Sequence, residues 1–259
     1  MSARIVQSVI FICLFLGSLT AATDPFVGKW KVDQSKSKMT GEKATIKDLG
    51  GNKFTITFGE ISDTIVADGT DQPIHFGRTE AITLDGPNTW KFVDKKDGRT
   101  VQTATWTLSP DGKTIKIEGT ATRSDGSTST AQFTLKRIAG ASGFAGTWES
   151  TSASFGSPLE FDIQPYESDG LSFVVPAEKD TLSMKFDGKD YPETGPNVAP
   201  GSVSSGHRLN EHTLELTDKV QGQVMDTTQF KVSADGKTLT LTVHEKGQSK
   251  ALIFVYERD

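Results

Sequence analysis

Cysteine is almost missing from this chain. Its single copy, Cys13, lies inside an apolar run near the start. The remainder can form no internal disulfide and must be held together by its core, and paired-cysteine metal or redox motifs are excluded. Basic charge is not in excess: 28 Lys and Arg stand against 33 Asp and Glu, for a formal net charge of −5. With no basic stripe, a nucleic-acid partner is not expected. Long hydrophobic runs are lacking too. The only dense one, Val9 to Leu16, is bounded by Gln7, Ser8, Gly17 and Ser18 and is too short for a comfortable membrane span. Helical periodicity is absent beyond it.

That run has the form of a processing signal. Arg4 supplies the positive end, the apolar run follows, and small residues lead to Thr20-Ala21-Ala22. Residues 1–22 are expected to be a signal peptide cleaved after Ala22, with an uncleaved anchor as the alternative. Cys13 does not suit lipoprotein processing, because bulky Ile12 precedes it within the apolar run. The expected location is secreted or periplasmic. About 237 residues would remain, without a transmembrane segment and with a net charge of −6 once Arg4 is gone.

What is present is an internal duplication. Phe26-Val27-Gly28-Lys29-Trp30 returns as Phe144-Ala145-Gly146-Thr147-Trp148, 118 positions later. Asp63-Thr64 matches Asp180-Thr181. Asp68-Gly69 with Pro73 matches Asp187-Gly188 with Pro192. Asp94 and Gly98 match Asp218 and Gly222, and Ser109 to Thr114 matches Ser233 to Thr238. Matches kept in order at a nearly constant offset mark a repeat. The expected units are residues 23–138 and 144–259, joined by a small-residue linker, 139–143.

Inside each unit the pattern has period two. Phe54, Ile56 and Phe58 alternate with Lys53, Thr55 and Thr57, and Leu239, Leu241 and Val243 alternate with Thr238, Thr240 and Thr242. Such alternation buries one face of an antiparallel sheet. Eight Asp-Gly dipeptides punctuate the runs and supply the positive φ of tight hairpins. The fold class expected is all-β: two tandem antiparallel up-and-down barrels, since closure removes exposed edges.

Gly28-Lys29-Trp30 and Gly146-Thr147-Trp148 resemble the G-x-W signature of the first strand in lipocalin-like (calycin-type) barrels. The resemblance implies a Trp across the closed end of each barrel and a basic residue packed over its ring from the last strand. Lys136 or Arg137 would serve the first unit and Arg258 the second. The implied closure set is Gly28, Trp30, Arg137, Gly146, Trp148 and Arg258. As a whole the chain is similar to tandem lipocalin-like proteins exported by bacteria. The family's middle motif is only partly matched, by Thr217-Asp218 followed by Lys219, and each unit is short for the family.

Motifs for chemistry are few. His207-Arg208-Leu209-Asn210-Glu211-His212 has one residue too many for an H-x-x-E-H zinc site, and on a strand the two histidines would face opposite ways. His75 and His244 have no Cys or Glu at ligand spacing. The carboxylates of Asp68-Gly69-Thr70-Asp71 and Asp187-Gly188-Lys189-Asp190 are too few for calcium and read as hairpin turns. No nucleophile elbow, phosphate loop or zinc-protease motif occurs, so no catalytic residue, metal or cofactor is expected and the protein is not expected to be an enzyme. Two functions stay open. One is the binding of a small apolar or amphipathic molecule, with Met184, Phe186, Leu214, Leu216, Phe230 and Val232 of the second unit as the candidate ligand set and the Pro/Gly-rich segment Pro192 to Gly201 as a cover. The other is a structural or interaction role with packed barrels. A cavity of several hundred Å³ would favour the first.

Overall fold

The computed structural model describes residues 24–140, 142–157 and 159–259. The expected signal peptide, 1–22, lies outside them. The described chain is all-β, in two antiparallel ten-stranded sheets that curl into barrels. No helix among the described residues is long and apolar enough to cross a membrane.

The strands follow one another as a meander. In chain order they are β1 (Gly28–Val32), β2 (Lys43–Asp48), β3 (Lys53–Phe58), β4 (Ile61–Val66), β5 (Gln72–Ile74), β6 (Arg78–Leu84), β7 (Thr89–Lys96), β8 (Arg99–Leu108), β9 (Thr114–Thr122) and β10 (Thr128–Ala139). The second half supplies β11 (Gly146–Phe155), β12 (Glu160–Tyr166), β13 (Gly170–Val175), β14 (Asp180–Met184), β15 (Tyr191–Thr194), β16 (Ser202–Asn210), β17 (Thr213–Val220), β18 (Gln223–Val232), β19 (Thr238–Glu245) and β20 (Leu252–Arg258). The alternating sequence becomes alternating burial: Phe54 and Ile56 are buried while Lys53 is exposed. The aspartate turns close as short-range chemistry requires. Asp111 accepts from Ser109 Oγ at 2.7 Å and from the Lys113 N–H at 3.0 Å, and Asp235 repeats this with Ser233 and Lys237. Asp68 likewise accepts from Thr70 and Asp187 from Lys189, as turn residues do.

The two barrels are not the two repeats taken separately. The first barrel runs β4-β3-β2-β11-β10-β9-β8-β7-β6-β5, and the second is closed as β1-β12-β13 and onward in order to β20. Each repeat gives its first strand to the other barrel. Trp30 lies opposite Phe161 and Arg258, while Trp148 lies opposite Ala44 and Arg137. This corrects the pairing expected from the sequence, in which Trp30 would meet the segment near Lys136 of its own repeat and Trp148 the segment near Arg258. The reason is local. Residues 33–42 after β1 do not fold back as a hairpin but cross between barrels, and β11 is likewise followed by a strand, β12, of the other barrel. Gln34 and Phe155 brace the crossings, exchanging side-chain amide and backbone hydrogen bonds at 2.8 Å each way.

The exchange sets the barrels mouth to mouth. The loops at the end of the first barrel away from Trp148 meet the loops at the end of the second away from Trp30. Asp125 N–H donates to Ala177 O at 3.0 Å, Asn197 Nδ2 to Ser124 Oγ at 3.0 Å, and Lys96 Nζ to Val198 O at 2.6 Å. Gln248 bonds both backbone groups of Lys43, and Lys246 pairs with Glu60 at 3.2 Å. The segment Pro192 to Gly201 takes part through Asn197 and Val198, so it bridges the two mouths.

At the far ends sit two matching closures. Arg258 Cζ lies 4.2 Å from the centre of the Trp30 ring, and Arg137 Cζ lies 4.1 Å from that of Trp148. Each indole N–H donates to the carbonyl of the Phe four residues before it, Phe26 or Phe144, at 2.9 Å. The arginine donors reach loop carbonyls: Arg137 to Gly112, Ala145 and Gly143, and Arg258 to Gly236, Val27 and Pro25. Cation–π attraction and a fork of donors make arginine suited to this place. Gly28 and Gly146 have φ of 152° and 146°, and a Cβ at either would collide with the closing guanidinium. Lys136, the other basic candidate, is exposed.

Candidate functional site

The candidate ligand set of the second barrel is mostly packing. Met184, Leu214 and Val232 are fully or almost fully buried in the second core, and Phe186 packs beside them. Leu216 and Phe230 do line a pocket, but its volume is only about 220 Å³. The structure therefore brings together two of the six side chains around a small space and leaves four in the core.

The roomier cavity lies in the first barrel, at about 550 Å³. Its apolar wall includes Ile56, Phe92, Trp106, Ile117, Phe133 and Phe155, and its polar side carries Asp63, His75, Arg78, Glu80, Asp94 and Gln102. A hollow of about 610 Å³ at the junction of the barrels is lined by charged residues such as Lys29, Lys31, Arg123 and Glu160 alternating with Trp30, Phe161, Val175 and Tyr256.

Comparison of the repeats explains why the first barrel is roomy. Ala104 lies opposite Gly119, and Gly119 opposite Ala131. At the same register in the second barrel, Thr228 lies opposite Val243 and Val243 opposite Leu252. Three neighbouring inward positions are thus small in one barrel and larger in the other. Protein interiors are close-packed, so missing side-chain volume at adjacent sites becomes open space.

The polar side has its own order. Asp63, on β4, accepts from the His75 backbone N–H at 3.0 Å and also contacts the His75 ring Nδ1. Glu80 and Asp94 are cross-strand neighbours on β6 and β7, with Gln102 next to Asp94 on β8. Burial first, and a hydrogen bond from Glu80 to Asp94 second, push the Glu80 carboxyl up to about 8. Burial also raises Asp94, against the pull of Glu80 and Arg78. Two adjacent carboxyls are thus both pushed above the ordinary carboxylate range. Arg78 lines the same side with no ion-pair partner among the described residues. Towards the junction, Glu42 is pushed up to about 7, by burial first and by Glu245 second.

The second barrel keeps the duplicated aspartates in other company. Asp218 has Ser204 and Asp226 as its cross-strand neighbours where Asp94 has Glu80 and Gln102. Among the described residues Asp180, the counterpart of Asp63, makes no hydrogen bond or ion pair to a histidine, and its buried Oδ1 has no partner. Burial raises Asp180 and Asp226 to about 6 each.

Sequence reasoning missed the first-barrel site. It treated His75 as solitary, although Asp63 meets it from 12 residues away, and it used Asp63/Asp180 and Asp94/Asp218 only as evidence of duplication. The usable signal was the small run Ala104, Gly119 and Ala131 against its larger counterparts. No family model matches the chain, and no curated protein is similar to it in sequence. Among the described residues no group of three or more His, Cys, Asp or Glu is placed to hold a metal ion.

Proposed function

We propose that this protein is an exported binding protein that holds one small amphipathic molecule inside its first barrel. The observation that carries the reading is the cavity of about 550 Å³, apolar and aromatic on one side with a few convergent polar groups on the other. That volume falls within the usual range for ligand pockets, roughly 300–1,000 Å³. The apolar body of the ligand would lie against Phe92, Trp106 and Phe133, and its polar end near Arg78 and the Glu80–Asp94 pair. The second barrel, with larger side chains at the equivalent positions, would serve as a packed partner that covers the mouth. Binding on this reading involves no catalytic step. Kinship with lipocalin-like proteins is part of the proposal, supported by the paired G-x-W closures. Export after cleavage at Ala22 is a further part, supported by the leader pattern in the sequence.

The test fills the cavity with the side chains of the other barrel: Ala104→Thr, Gly119→Val and Ala131→Leu together. Gly119 has no strained φ, and a Cβ there would meet its neighbours only at ordinary contact distances, the nearest at 3.6 Å. The expected result is an unchanged or raised melting temperature, with binding of a neutral fluorophore such as N-phenyl-1-naphthylamine weakened by about tenfold or more. Undiminished binding by a folded triple variant would place the ligand elsewhere and defeat the reading.

A further inference from the structure

The barrels differ in one wall. In the second, β14 and β15 are joined by backbone pairing, Thr181 to Thr194 and Leu182 to Glu193. In the first, the equivalent β4 and β5 are the two ends of the sheet and are not paired with each other. Side chains alone span this break. Gln72 Nε2 donates to Val66 O at 2.6 Å, and its Oε1 accepts from Val66 N–H at 2.9 Å, imitating one rung of a ladder. One turn further on, Asp63 holds the backbone and ring of His75.

Both banks of the break line the cavity, Ile61 and Asp63 on one side and Ile74 and His75 on the other. His75 opens a single 3-10 turn, His75–Gly77, in which Phe76 has φ 60° and ψ 24° and Gly77 has φ 69°. A non-glycine residue in the left-handed region is a strained feature held by its surroundings. Meanwhile the end of the barrel that would ordinarily admit a ligand is covered by the loops of the second barrel.

We propose that the ligand passes through this side wall, between β4 and β5, with the Asp63–His75 contact as latch and the His75–Gly77 turn as hinge. The inference rests on the ligand reading above. The broken wall belongs to the barrel with the larger cavity, and the barrel with larger inward side chains has the wall sealed. Opening requires release of side-chain contacts at half-exposed groups and breaks no β4–β5 ladder, since those two strands are unpaired. The polar end of an amphipathic ligand would then stay at the opening, near His75 and Arg78, with its apolar part inside.

The experiment tethers the two banks. In full-length protein carrying Cys13→Ser, Asp63→Cys and His75→Cys, a short bifunctional methanethiosulfonate joins positions 63 and 75, and a reductant releases them. Stopped-flow mixing with N-phenyl-1-naphthylamine is expected to show association slowed by about tenfold or more when tethered and restored on reduction. Gln72→Ala, which removes the imitation rung without touching the cavity, is expected to raise both rate constants by about threefold and to change Kd by less than about twofold. Equal association rates in tethered and released protein would overturn the side-wall route. If the wild-type protein binds no fluorophore, the ligand reading fails, and acrylamide access to the cavity residue Trp106 still decides the route. Quenching lost in Trp106→Phe but blocked by the tether supports the passage, and quenching indifferent to the tether overturns it.

Discussion

At the scale of single residues, the two tryptophans and the buried carboxyls carry the clearest consequences. Trp30 and Trp148 are 1% and 0% exposed. Each packs between an aromatic core and an arginine fork, so truncation removes packing and leaves the Phe26 or Phe144 carbonyl without its indole donor. Trp30→Ala is expected to cost about 3–5 kcal/mol in urea unfolding; a loss below about 1 kcal/mol would mean that the closure is not structural. Glu80 acts in a different way. An unfolded glutamate gives up its proton near 4.5, the folded Glu80 near 8. Between those values the folded chain holds the extra proton, so this contribution is complete below about pH 4.5 and is lost as pH rises through 8. Glu42, raised to about 7, acts in the same sense. Thermal melts should therefore decline from pH 5 to pH 8, and Glu80→Gln should flatten that decline. A slope equally steep in the variant would show that Glu80 is not the group responsible.

At the scale of elements, the strand pattern was legible in the sequence and the strand partnership was not. Alternating Phe54/Ile56 and Leu239/Leu241 specify faces, and Asp-Gly pairs specify hairpins; both are local. Which barrel receives β1 depends on whether residues 33–42 turn back or run on, and period-two alternation is the same in either case. The two copies of G-x-W carry the same closing chemistry, so either Trp suits either arginine, and duplication itself hides the exchange. The cavity was legible only by comparison across repeats, because small residues such as Ala104 and Gly119 acquire meaning beside Thr228 and Val243. The exchange has a direct consequence for dissection. A chain cut between Gly140 and Gly143 should remain one particle in gel filtration, since each fragment supplies a strand to the core of the other, and should come apart only in denaturant. Two fragments that separate under native conditions and each keep a β-type spectrum would show that the strands are not exchanged.

At the scale of the whole molecule, duplication has produced two barrels with one framework and different interiors. The closures, turns and inward aspartates are common to both, while side-chain volume and wall continuity have diverged together. The junction holds the pair through covalent crossings as well as polar loops, so the covered mouth is a fixed part of the architecture. In the proposed function the first barrel holds the ligand and the second has a covering role. The most direct measurement is methyl NMR on protein labelled at alanine and leucine, titrated with N-phenyl-1-naphthylamine. Shifts and contacts to the fluorophore are expected at the methyls of Ala104, Ala121 and Ala131, which line the first cavity, with Leu216 and Leu241 of the second barrel unmoved. Contacts confined to Leu216 and Leu241, or to outward-facing methyls, would contradict it.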